Sequence, residues 1–580
     1  MKKQFMTLWI VLLCIAVSYA NPCYDPQDNF YTYVQSWQSR GLIDSVPSLR
    51  PYPLANIKDI LQSVIERGDE KDVEFAQNIY EELTGKIWNI KNSSTYKINA
   101  DAYDFNDLKS DRISLEGNFG VKNDCISMGY DIGFLFRSAS SESSFLPYYT
   151  TSDNNITFDS ASIGSFYSYF TGSTMFSAGS KKIFLQTGIS RNGYGTFLNR
   201  GIVLSDSAIS KPSFSISYAG EKINYTQWLG LLGASRADGE KSVWTYGKVM
   251  NMHAVDYTPI RQLTLSAYEV ALYGQRFDAS YLIPAPYMLT QAFTGYGDDG
   301  VNLLMGFGAR VNPLSGLVIA SDVLVDDVNV NELAKLNFNT KIQMAWDTGV
   351  IYYPSSSVVE SISLDYLIVT TYMYTHRDSS STYSYQNYTN CGYSIANEYP
   401  PNSDTVNFKI TISPVEKLDL TFTGMFLRHG NICESYSDAE ALSYLTLTSS
   451  DGYYSTDGGF YTAYRSGNFD YSLNTLNFLT QEHKMYVVQA GVKADYELKK
   501  YKWGKLKFNI SYVFEYIHNK GVDSSLYPAG SVTENSGVYT YDGGTTSNIS
   551  DVVSYYKNRW VSGLYDDFNN FVTIGLTYTF

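Results

Sequence analysis

Residues 571–580 read FVTIGLTYTF. Val572, Ile574, Leu576, Tyr578 and Phe580 fall on one side of a two-residue alternation, and Thr573, Gly575, Thr577 and Thr579 fall on the other. A period of two is the pattern of a strand with chemically different faces. The polar face here is small and hydroxylated rather than charged, which suits a wall between lipid and a polar lumen. An edge strand of a soluble sandwich is the alternative reading of the same ten residues.

The opposite end bears on that choice. Lys2 and Lys3 precede an apolar run at 8–17, and Ser18-Tyr19-Ala20 supplies small residues where a signal peptidase cuts. The expectation is a leader over 1–20 and a mature chain from near Asn21, with no cysteine placed there for lipid attachment. No later run of about 18 apolar residues offers a membrane-spanning helix. The 580 residues include 52 Tyr and 30 Phe, with 16% aromatic content and a mean hydropathy of -0.21. Lipid-facing apolar residues alternating with lumen-facing polar ones, between aromatic girdles, give such a composition. The net charge of -15 argues against a nucleic-acid partner, whose phosphates require basic surfaces. Cys23, Cys125, Cys391 and Cys433 show no zinc or redox spacing. In an oxidising compartment one or two disulfides are allowed, with Cys391 and Cys433, both near loop-like segments, as the favoured pair.

Residues 21–92 differ from the remainder. Ile57, Ile60, Leu61, Val64 and Ile65 stand at helical spacing, as do Val73, Ala76, Ile79, Tyr80 and Leu83, with Gly68 and Gly85 as stops. An earlier segment, 30–41, places Tyr33, Val34 and Trp37 on one face. The segment reads as a small N-terminal α-helical domain, and a barrel's periplasmic mouth is the surface available for it to pack on. Residues 93–580 become a succession of alternating segments. Ile342, Met344 and Trp346 oppose Lys341 and Gln343; Phe408, Ile410 and Ile412 oppose Asn407, Lys409 and Thr411; Phe508, Ile510, Tyr512 and Phe514 oppose Lys507, Asn509 and Ser511. The fold class expected is an all-β transmembrane barrel of about 16–18 antiparallel strands. Tight hairpins at 312–317, 414–418 and 499–505 alternate with polar stretches at 376–404, 433–458 and 521–554, which read as surface loops. One strand breaks the parity: Leu263, Leu265 and Ala267 would leave Glu269 facing lipid, and a bulge near Ala267 or Tyr268 would return it to the lumen.

Three stretches resemble the capsule-assembly outer-membrane family, the Wzi-type surface lectins. These are SWQSRGLIDSVPSLRPYPLANIKDIL at 36–61, FLQTGISRNGYGTFLNRGIVLSDSAISKPSFSISY at 184–218, and the paired segments 252–287 and 298–327. The family's Trp-Gly-Pro-Gly motif is replaced here by Arg191-Asn192-Gly193-Tyr194-Gly195. The resemblance implies a monomeric barrel in the cell outer membrane, with its helical domain on the periplasmic side, that binds or organises a surface polysaccharide. It implies ligand-binding roles for Arg191, Asn192, Tyr194, Asp206 and Glu269. The terminal strand resembles those of outer-membrane barrels generally, implying that Tyr578 and Phe580 are read by barrel-assembly machinery. Sugars are held by aromatic rings and planar polar groups, and the loops supply Tyr and Asn.

Other chemistry finds little footing. His253, His376, His429, His483 and His518 are scattered without metal spacing, and His253 reads as a strand-end residue. Asp298-Asp299 and Asp326-Asp327 are acidic pairs that read as solvated turns, with calcium as the alternative. No G-x-S-x-G elbow is present and Gly193-Gly195 opens no phosphate loop, so neither an enzyme nor a cofactor is expected. A general porin and a surface adhesin stand as the rival functions.

Overall fold

The computed structural model describes residues 25–580 except 45, 86–87, 101–104, 151–155, 237–246, 295–299, 329–330, 332–333, 336–341, 356–357, 376–382, 416, 447–477 and 502–503. The expected leader at 1–20, Cys23, His376 and the pair Asp298-Asp299 lie outside the described residues.

Eighteen antiparallel strands close on themselves. They are β1 (Trp88–Ala100), β2 (Phe105–Val121), β3 (Ile126–Arg137), β4 (Phe166–Gly179), β5 (Ile183–Ser190) and β6 (Lys211–Ala219). Next come β7 (Ile223–Leu232), β8 (Lys248–Ile260), β9 (Leu263–Gly274), β10 (Val301–Leu314), β11 (Leu317–Val328) and β12 (Ile342–Tyr352). The circuit ends with β13 (Val359–Val369), β14 (Ser403–Val415), β15 (Leu418–Gly430), β16 (Lys484–Tyr501), β17 (Gly504–Lys520) and β18 (Tyr565–Thr579). A further strand, Ile156–Ile163, extends the wall beside β4. The terminal strand closes the ring: Gly575 lies opposite Thr95 of β1, and Ile90 and Phe580 exchange two backbone hydrogen bonds of 2.9 Å. Closure leaves no long unpaired edge in the wall, and in lipid it satisfies the backbone.

The alternation read from the sequence appears as two faces. On β3, Ile126, Met128, Ile132 and Phe134 are exposed outward while Ser127, Asp131 and Arg137 are buried inward. On β12, Trp346 faces out and Gln343 and Asp347 face in. On β18, Phe568, Ile574 and Leu576 face outward. A belt of exposed apolar side chains therefore surrounds a polar interior, the arrangement of a membrane barrel. Among the described residues no helix is long and apolar enough to cross a membrane.

The two mouths differ. One is ringed by short turns such as Ser315-Gly316, where Gly316 takes φ +78°. Three helices seat on this mouth: α1 (Phe30–Ser39), α2 (Leu54–Arg67) and α3 (Glu70–Gly85). Their apolar faces meet one another through Phe30, Val34, Trp37, Ile57, Leu61, Val64, Ala76 and Leu83. Trp37 Nε1 donates to Asp72 Oδ1 at 2.9 Å, and Arg40 grips the same carboxylate at 2.6 and 2.7 Å. The polar edges meet the turns: Lys58 with Asp124 at 2.8 Å, Asn56 Nδ2 with the Lys181 carbonyl at 2.9 Å, and ion pairs of Asp44 with Arg261 and Glu82 with Lys505.

The other mouth carries the long segments, and they do not simply project from it. Within 376–404, read from sequence as a surface loop, Asn387, Tyr388, Thr389, Cys391, Ile395, Ala396 and Asn402 are buried. The chain turns inward and packs within the lumen, sharing a buried cluster with Leu204, Met250, Met252, Val270, Leu324 and Leu367. Residues 433–458 and 521–554 contain helix α5 (Asp438–Leu445), a three-stranded sheet (Thr533–Asn535, Val538–Tyr541, Gly544–Thr546) and the start of α6 (Ile549–Ser562), after α4 (Tyr287–Thr294) earlier in the chain. Cys391 and Cys433 are both buried, and no disulfide joins them, which corrects the expected pairing. Cys391 sits in a turn whose backbone donates to the Gly233 carbonyl, and Cys433 in the short helical turn after β15.

Candidate functional site

The lumen contains a joint built from three parts of the chain that are remote in sequence. The segment between α1 and α2 brings Arg50 inside, and the loop between β5 and β6 comes from the opposite mouth to meet it. The two backbones form one antiparallel bridge: Arg50 N donates to the Gly193 carbonyl at 2.9 Å and Gly193 N donates to the Arg50 carbonyl at 3.2 Å. The Arg50 guanidinium then engages Asp206 with two parallel bonds of 2.9 Å and donates to the Gly195 carbonyl at 3.1 Å. Asp206 is fully buried and also accepts from Asn199 N at 3.2 Å. Bidentate geometry and a backbone donor offset the desolvation of both charges. Glycine is required at 193 because a Cβ there would stand 1.5 Å from Asp206 Oδ1.

The surrounding residues hold the loop in place. Tyr194 donates to Asp256 of β8 at 2.9 Å, Ser48 bonds the same carboxylate, and the Tyr194 ring meets Tyr268 edge-on at 5.4 Å. Tyr374 and Tyr388, from the inward-folded segment, donate to the carbonyls of Ile202 and Val203 at 2.8 Å each. Arg200 pairs with Asp365 of β13, which also accepts from Asn407 at 2.8 Å, and Tyr399 donates to Asn407 at 2.8 Å. On the far wall Glu142 pairs with Lys97 and Arg137, and Glu515 accepts from Tyr148 N and Gln489 at 2.7 Å. Beneath Tyr194, Phe197 and Tyr268 lies a gap of about 10 Å³. A cleft of about 120 Å³ opens toward the helical domain, bordered by Arg50, Tyr52, Asp256, Arg310 and Asp322. Water-facing Lys493 and Asp495 of β16 pair at 3.0 Å on the inner wall nearer the short turns.

The structure brings Arg191, Asn192, Tyr194 and Asp206 together at this joint, all buried within the lumen rather than displayed at a loop tip. It places Glu269 elsewhere. Both ladders of β9 run without a register shift from Leu265 to Tyr273, and the irregularity of the β8–β9 ladder lies at its Leu263 end, so the expected bulge near Ala267 or Tyr268 is absent. Glu269 faces outward on the wall, directly across from His253, whose Nε2 lies 2.8 Å away. It also accepts from Tyr287 N at 2.8 Å, so the strand has no need to slip. His253 correspondingly lies within β8 rather than at its end. Tyr578 stacks on Phe580 at 5.2 Å beside the closing seam.

Arg50, Asp256, Asp365, Tyr374 and Tyr388 are partners that sequence reasoning missed. Arg50 lies in the RPYP part of the 36–61 stretch, but nothing in its spacing names a partner 156 residues away. Asp326 sits at an irregularity in the β11–β12 ladder. Among the described residues Glu434, Glu482 and His483 lie close enough together to share an ion. Lys557 already approaches that cluster, 3.3 Å from Glu434, so it is an ion-pair network as it stands.

No family model matches this chain, and no curated protein matches it by sequence. Solved structures do match. Wzi, an outer membrane protein involved in group 1 capsule assembly in Escherichia coli and described as a carbohydrate-binding β-barrel, aligns over 95% of this chain and 98% of its own, with a TM-score of 0.50 at 11% identity. Pseudomonas aeruginosa OccD3 (OpdP) aligns over 86% of this chain and 92% of its own, with a TM-score of 0.39 at 10% identity. The chain thus has the fold of bacterial outer-membrane β-barrels, with loop segments packed inside the lumen and helices on the short-turn mouth.

Proposed function

We propose that this protein is a non-enzymatic outer-membrane barrel that binds or organises a surface polysaccharide at its loop mouth, its helical domain facing the periplasm. The observation that carries the reading is the lumen. Inward folding of the segments around Asp206 and Tyr388 replaces a solute path with packed tyrosine and aliphatic side chains, which suits a platform better than a general porin. The likeness to a carbohydrate-binding barrel supports the same direction. Half-exposed Tyr541 and Tyr555 pack edge-on at 5.2 Å beside the Arg559–Asp542 ion pair, at 2.9 Å. Aromatic faces next to planar hydrogen-bonding groups are what a sugar's C–H face and hydroxyls require. Purified full-length protein should retain surface polysaccharide from its own cells in a pull-down, and cells lacking it should lose attached glycan. Unchanged surface glycan together with no retention would overturn the proposal.

A further inference from the structure

The segment after β9 does something unusual for a loop: it folds back down the outside of the barrel. From Gly274 at the top of β9 to Glu269, where Tyr287 N meets the wall, the strand runs five residue steps, roughly 17 Å along its length. The segment covers an outward-facing polar patch that would otherwise touch lipid. Gln227 Nε2 donates to the Tyr281 carbonyl at 3.0 Å and meets Tyr287 Oη at 3.1 Å. Asn251 donates to Tyr273 Oη at 2.9 Å, and the His253 ring lies 4.2 Å from that of Tyr287.

The covering helix α4 is apolar on the side turned away from the wall as well as on the side that packs with Leu229, Val249 and Ala271. Its wall-facing side presents Tyr287 and Thr290, both buried, while Met288, Leu289 and Phe293 face outward, Phe293 at 89% exposure. Phe277 and Ile283 of the same segment are also exposed. In water a surface helix turns its apolar side inward, and an outward apolar face fits a hydrocarbon environment. The patch borders the apolar belt: Met305 stands opposite Glu269 on β10, Val255 lies two residues from His253, and both are exposed.

We propose that residues 275–294 form an interfacial strap whose exposed apolar face beds into the acyl chains of the outer-leaflet lipid while its tyrosine-bearing underside packs on the wall and seals the Glu269–His253 pair. The inference rests on the barrel and its belt and is independent of the glycan reading. It is tested by spin labels at F293C and M288C in the full chain with Cys23 and Cys125 changed to serine, reconstituted in lipopolysaccharide-containing vesicles. A label at V255C provides the lipid-facing reference. Oxygen collision rates several-fold above those of a water-soluble nickel chelate at both strap positions, matching V255C, are expected. A dominant nickel rate would mean that the strap lies in water, and low rates for both reagents would mean that protein, such as a second copy, covers it; either overturns the proposal. In the same vesicles the triple variant M288Q/L289Q/F293Q should gain protease cleavage within 277–293, and resistance equal to wild type would contradict a lipid anchor.

Discussion

The lumen joint and the outer strap each keep a carboxylate from bulk water, but by different means. Asp206 is met by a guanidinium delivered from 156 residues away, through a different mouth of the barrel. Glu269 is met by a histidine on the adjacent strand and by a backbone N–H only 18 residues on. The first arrangement ties the helical domain to the wall and the loops, so losing it loosens three regions at once. The second is local, and its loss frees one strap.

The largest expected effect follows from removing one side of the joint. Asp206→Ala leaves the Arg50 guanidinium buried and unpaired and should cost about 3–5 kcal/mol, read as a lowered urea midpoint for unfolding in detergent. The double variant Arg50→Met/Asp206→Leu should recover most of that loss, because no charge then remains buried. Gly193→Ala forces a methyl group into Asp206 and should cost about 1–3 kcal/mol by the same assay. At the strap, Glu269→Gln weakens the charge-assisted bonds to His253 and Tyr287 and should cost on the order of 1–3 kcal/mol, with faster hydrogen exchange confined to the strap and neighbouring wall. If Glu269→Gln instead loosened the helical domain, the local character of this site would be refuted.

The smallest effect concerns the rim of the short-turn mouth. Hydrogen bonds from Arg67 and Arg261 hold the Asp44 carboxyl below its ordinary value of 3.8. A depressed carboxylate contributes stability that is present above the unfolded value and is lost as pH falls through the lowered folded value. Asp44 is half exposed, so the contribution is small. Exchange protection of α2 should decline modestly below about pH 4, and Asp44→Asn should abolish that decline.

How much of this was legible in the sequence depended on the range of the interaction. Strand parity is a local property, and the outward set Ile574 and Leu576 and the hairpin at 312–317 can both be read from neighbouring residues. The three helices were legible from spacing, to within a few residues at their ends. The inward course of 376–404 was not, because a stretch rich in Ser, Asn and Tyr looks solvated until the carbonyls that receive Tyr374 and Tyr388 are known. Helix α5 did leave a signal that was overlooked, the capping box of Ser437 and Glu440. At Glu269 the outward parity set by Leu263 and Leu265 holds and the expected bulge is absent; the strap that makes a bulge unnecessary comes from the following loop, beyond the reach of strand arithmetic.

If the inward-folded segments close the lumen, ions have no continuous path through the barrel. Single-channel recording of the purified wild-type chain in planar bilayers tests it most directly. The barrel should insert yet pass no steady current; stable, stepwise open-state conductance in the wild-type protein would show that the lumen is open.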